Sequence, residues 1–106
     1  MFIAMNNFKV ARGREADFER QWRERHSYLE TVPGFVEFAL LKSDTEGEYA
    51  SHTVWESRAA FEAWTRSEAF VNAHRQGSIG GILEGHPTLK LYEAILTERP
   101  GAVSAD

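Results

Sequence analysis

Apolar and polar positions alternate from the second residue of the chain. Phe2, Ala4, Asn6, Phe8 and Val10 fall on one side of an extended segment, and Ile3, Met5, Asn7 and Lys9 on the other. That is the two-residue period of a β-strand. The first set is the more apolar and belongs toward a core, so Asn6 interrupts a face that otherwise buries. Gly13 marks a turn. From about Arg14 to Leu29 the period changes: Phe18, Trp22, His26 and Leu29 recur at spacings of four, four and three, one apolar stripe of a helix. Thr31-Val32-Pro33-Gly34 stops it. Phe35 to Leu41 and Tyr49 to Trp55 read as two strands, and the short polar turn between them, Ser43 to Glu48, predicts a hairpin.

Ser57 has the place and chemistry of an N-cap for a second helix carrying Ala60, Phe61 and Trp64. Ser67-Glu68 is a second helix start, which sets Phe70 and His74 four apart on one face. The segment 76–87 holds four glycines and no clear periodicity, which predicts a mobile loop; Leu89 to Thr97 predicts a last strand. The order β-α-β-β-α-β is the ferredoxin-like plan of the α+β class, an antiparallel sheet with helices on one face. A single domain over 1–98 is expected, with a flexible C-terminal tail at 99–106.

Composition narrows the function. The 106 residues suit one domain, and a net charge of −4 argues against nucleic acid or an anionic membrane surface as partner. No apolar run approaches a membrane span, and the N-terminus lacks the form of a signal peptide, so a cytoplasmic protein is expected. The absence of cysteine excludes disulfides, thiolate metal sites and cysteine nucleophiles. Seven Phe, three Trp and three Tyr are enough to fill a core and still line a pocket. A domain this small leaves much surface uncovered, which favours a homodimer.

Three residues are candidates for chemistry. His74 closes an aromatic helical stretch; it reads either as an iron ligand or as an imidazole at the negative end of a helix dipole. Asn6 reads either as an amide satisfied by backbone or as a donor aimed into a cavity. Trp64 reads as core or as a cofactor wall. Ten residues of unbroken helix would hold Trp64 and His74 ~15 Å apart, so a shared site needs a bend near Thr65–Ser67. His26, His52 and His86 show no metal-ligand spacing, and Glu15 and Glu19 read as solvated helix surface. No phosphate-cradling glycine loop or Gly-x-Ser-x-Gly motif is present.

The chain resembles the heme-degrading monooxygenases of the IsdG type, within the antibiotic biosynthesis monooxygenase superfamily. The resemblance is carried by Asn6 with Gly13 after it, Val32-Pro33-Gly34-Phe35, Thr53-Val54-Trp55-Glu56-Ser57, and Ala60-Phe61-x-x-Trp64-x-x-Ser67-x-x-Phe70-x-x-x-His74. The Pro-Gly-Phe and Trp-Glu-Ser elements imply only the fold; the combination of Asn6, Trp64 and His74 is the specific part. It departs from the family pattern in the second asparagine, Asn7, and over Gln76 to His86.

The resemblance implies that heme is both substrate and oxygen-activating cofactor. It implies that dioxygen and an external electron donor, a reductase or small reductant, open the macrocycle and free iron, a chemistry suited to iron acquisition. His74 would be the axial ligand of the heme iron. Asn6 would hydrogen-bond near the opposite face, and Trp64 would press the ring out of plane. Phe70, Val71 and Trp22 would line the pocket, and Arg75 would reach a propionate. The family forms a homodimer whose two sheets make an α+β barrel. Two other functions fit the same fold: a cofactor-free monooxygenase of quinols or polyketides, and a heme-binding dimer without catalysis.

Overall fold

The computed structural model describes residues 1–25, 28–68, 70 and 82–100. The elements follow the expected order: β1 (Phe2–Lys9), α1 (Glu15–Glu24), β2 (Phe35–Lys42), β3 (Glu48–Trp55), α2 (Arg58–Thr65) and β4 (Thr88–Glu93). The four strands form one antiparallel sheet in the order β2-β3-β1-β4. This is the ferredoxin-like arrangement.

Parity fixes which face of the sheet is covered. Phe2, Ala4 and Val10 of the first set are buried, whereas Asn7 and Lys9 of the second are exposed. On β3 the same alternation buries Tyr49, Ser51, Thr53 and Trp55. Both helices lie on this inner face, because Phe18 of α1 meets Phe8 and Tyr49 (ring centroids 5.4 and 4.7 Å) and Phe61 of α2 meets Phe2 (5.4 Å). Two apolar clusters result. Val10, Phe18, Tyr49 and Ile82 form one, under α1; Phe2, Ala4, Leu29, Trp55 and Phe61 form the other, against α2.

α2 begins as the sequence predicts. The Ser57 hydroxyl accepts from the Ala60 amide at 3.1 Å, satisfying a donor that the first turn leaves open. The helix ends at Thr65. Arg66 (φ −101°, ψ 4°) turns the chain, and the Ser67 hydroxyl accepts from the Phe70 amide at 3.2 Å. Gly34 holds the other side of this helix. Its φ of +82° suits glycine, and a Cβ there would collide with that of Ala60.

Three expectations need correction. The first helix stops at Glu24, five residues short of Leu29. Arg25 is extended (ψ 146°), and Leu29–Thr31 is a separate 3-10 turn that buries Leu29 in the α2 cluster. The last strand ends at Glu93, before the expected Thr97. The described part of the expected mobile loop is anchored instead. Ile82 is buried, its carbonyl accepts from the Ala11 amide at 2.6 Å, and the Glu84 amide donates to the Lys9 carbonyl at 2.7 Å.

Candidate active site

A cavity of about 100 Å³ lies between the sheet and the helices, with Trp22 of α1 and Arg25 just beyond its end among the lining residues. Its floor is the inner face of the sheet, with Ala4 and Asn6 from β1 and Ser51 and Thr53 from β3. One wall is a stacked pair, Trp22 of α1 and Phe38 of β2, with ring centroids 5.6 Å apart and planes 15° from parallel. Another is Trp64 of α2, wedged between Trp55 (5.3 Å) and Phe70 (4.8 Å, edge-on).

Of the residues that the sequence singles out, Asn6, Trp22 and Trp64 come together on this cavity. Phe70 is not among its lining residues; it supports Trp64 from outside. Val71, His74 and Arg75 lie outside the described residues, as does His26. His52 belongs to the opposite face of the sheet, on the parity of Ala50 and Val54, and His86 is exposed. Among the described residues, no group of three or more His, Asp or Glu side chains is placed to hold a metal ion.

Asn6 sits half-buried on this floor, and among the described residues its side chain makes no hydrogen bond. A carboxamide desolvated without a partner costs about 1–3 kcal/mol, so the amide is available to a ligand or to water.

Arg25 has no counterpart in the sequence expectations. Its guanidinium lies over the Trp22 ring at 4.1 Å and over Phe38 at 5.4 Å. Burial alone pulls its pKa below the ordinary arginine value, yet a guanidinium keeps its charge at any physiological pH. Among the described residues no carboxylate lies within ion-pair distance of it. The cavity therefore joins flat aromatic surfaces, a fixed cation and a polar floor.

Glu19 also departs from expectation. The Tyr49 hydroxyl donates to its carboxylate at 2.5 Å, and Lys42 lies 3.0 Å from the same oxygen. The Tyr49 hydrogen bond foremost, then Lys42, holds the Glu19 carboxyl below its usual range. Burial first, and Glu19 second, raises the Tyr49 phenol. This network belongs to the packing of α1 on the sheet, away from the cavity lining.

Comparisons with known proteins identify the family. The family model for the antibiotic biosynthesis monooxygenase matches residues 1–76. A relative from Mycobacterium tuberculosis named heme oxygenase (mycobilin-producing) is 30% identical over 95 residues, covering 89% of each chain. The solved structure of the heme-degrader MhuD from the same organism, with two hemes bound in its active site, is 29% identical. It covers 93% of this chain and is itself covered in full, with a TM-score of 0.77. SnoaB, a cofactor-independent oxygenase from Streptomyces nogalater solved as a mutant, shares the fold at 24% identity and a TM-score of 0.70, over 91% of this chain and 94% of its own. The chain belongs to the antibiotic biosynthesis monooxygenase family, and its relatives include enzymes named for the degradation of heme.

Proposed function

We propose that this chain is a heme-degrading monooxygenase. It binds heme as its substrate, opens the porphyrin ring with dioxygen and external electrons, and releases iron and a linear tetrapyrrole. The observation that carries the reading is a cavity that joins aromatic walls, a half-buried cation and an amide without a partner among the described residues. A porphyrin has complementary chemistry: a flat apolar ring, carboxylates on one edge and a reactive centre. Relatives with heme-degrading names at about 30% identity support the same substrate.

Bound heme supplies the iron that activates dioxygen. The chain supplies the rest. Trp22 and Phe38 offer a flat face, and Trp64 bears on the ring from α2. Arg25 would neutralise a carboxylate at the cavity edge, Asn6 would donate a hydrogen bond from the floor, and His74 would hold the iron. The cavity is smaller than the roughly 300–1,000 Å³ of ordinary ligand pockets, so its walls must part as the ring enters. The outer face of the sheet supports a homodimer: Ile3, Met5, Ala39, Leu41, Val54 and Tyr92 stand there, and no helix among the described residues lies over them. Among the described residues no helix is long and apolar enough to cross a membrane. The cytoplasm is the proposed place of work, where a reductase or small reductant provides the electrons.

Hemin titration of the purified protein tests the reading. One equivalent shifts the Soret band and quenches tryptophan fluorescence, and ascorbate in air then bleaches the band. An unshifted spectrum would point to the cofactor-free chemistry of the fold, and binding without bleaching to a carrier. His74→Ala abolishes tight binding, whereas Asn6→Ala retains binding and turns over poorly.

A further inference from the structure

Asn6, Ser51 and Thr53 stand together on the cavity floor. Asn6 and Ser51 are register partners across β1 and β3, and Thr53 is the next residue of the same parity on β3. Ser51 and Thr53 are each 8% exposed, and among the described residues neither hydroxyl makes a hydrogen bond. Around them the inner face is apolar: Ala4 beside Thr53, Leu40 beside Ser51, Trp55 beyond. Neither hydroxyl is tied to a protein partner among the described residues, and alanine and valine would suit the apolar surroundings, so both hydroxyls are free to face the cavity.

We propose that Ser51 and Thr53, with the Asn6 amide, hold an ordered water on the cavity floor and relay protons through it to the reacting oxygen. The inference rests on the monooxygenase reading above. Insertion of one oxygen atom from dioxygen consumes two electrons and two protons, and the second oxygen atom leaves as water. The external reductant supplies the electrons. The protons must cross the lining, which among the described residues contains no carboxylate and no imidazole. A hydroxyl bridges that gap without net change, accepting a proton on its oxygen as it passes its own to the neighbouring water. The three groups also meet the requirement for a bound water, which needs two to four polar partners. Ser51 and Thr53 are thus positioning and relay residues, acting on substrate through the water.

The test compares Ser51→Ala, Thr53→Val, the double variant and Thr53→Ser. Hemin affinity is expected to stay within about threefold of the parent, since neither hydroxyl supplies an aromatic wall or the cation. Melting temperature is expected to hold or to rise by a few degrees, because an unpartnered hydroxyl is removed. Bleaching by ascorbate is expected to slow by roughly tenfold or more in the double variant. Its solvent deuterium isotope effect is expected to grow, and Thr53→Ser is expected to behave like the parent. A double variant with parental rate and isotope effect overturns the relay, and so does one whose melting temperature falls by several degrees. The water is checked independently of heme. A crystal of the heme-free protein is expected to show it within hydrogen-bond distance of both hydroxyls, and a dry floor overturns the proposal even where hemin binds and is degraded. Failure of the parent protein to bind hemin would instead count against the function proposed above, with the water still decided by that crystal.

Discussion

The two halves of the interior satisfy their polar atoms differently. Under α1, the Tyr49 phenol is paired: it donates to Glu19, and Lys42 closes the network from β2. Against α2, Trp55 is fully buried and its indole N–H finds no acceptor among the described residues. Along the border between the halves, Asn6, Ser51 and Thr53 make no side-chain hydrogen bond among the described residues. Polar side chains without a protein partner are thus gathered on the cavity side of the interior, where water or a ligand can reach them. The three that line the cavity, Asn6, Ser51 and Thr53, are the groups that the proposed function would use.

Four substitutions sharpen or break this contrast. Trp55→Ala has the largest expected effect, a loss of about 3–5 kcal/mol from the cavity it leaves in the core, read by urea denaturation. Trp55→Phe is expected to lose much less, because it also removes the unpaired donor; equal losses would mean that the N–H is satisfied in solution. Arg25→Ala is expected to weaken hemin affinity roughly tenfold, about 1.4 kcal/mol, with a weaker salt dependence of binding. Unchanged affinity would remove Arg25 from the site. Tyr49→Phe is expected to cost about 1 kcal/mol of stability and to leave the hemin titration unaltered. A changed titration would show that the two halves are not separable.

The smallest effect concerns acid. Tyr49 and Lys42 hold the folded Glu19 carboxyl below its ordinary value. Its contribution is therefore complete above the ordinary carboxylate range and is lost as pH falls through the lowered value. Glu19→Gln is expected to flatten the acid limb of stability slightly, seen as a weaker dependence of the urea midpoint on pH. A variant with the parental slope would show that the network contributes nothing measurable.

The strands were legible because alternation is a direct imprint of a sheet covered on one side. The same alternation placed Asn6 on the inner face, and it carried an unused signal: Ser51 and Thr53 share the buried parity of Tyr49 and Trp55. Polar residues on a buried parity mark a floor as clearly on β3 as on β1. The first helix was over-extended because His26 and Leu29 prolong the spacing of Phe18 and Trp22. Leu29 does bury, but from a separate turn and into the other cluster. Arg25 was hidden by that error. On a continued helix it is one more surface cation, whereas on an extended residue it folds back over Trp22. Glu19 was misread for a related reason, since periodicity shows which way a residue faces but not that a tyrosine thirty positions later comes to meet it.

Gly34 touches nothing in the cavity, yet it governs how wide the cavity is. α2 rests on the bare Cα of this residue through Ala60, and Trp64 stands one helical turn beyond. A methyl group at position 34 would shift the helix bodily and drag the indole with it. The width of the cavity is therefore geared to an absence on the far side of a helix, where a search confined to the lining residues would never look.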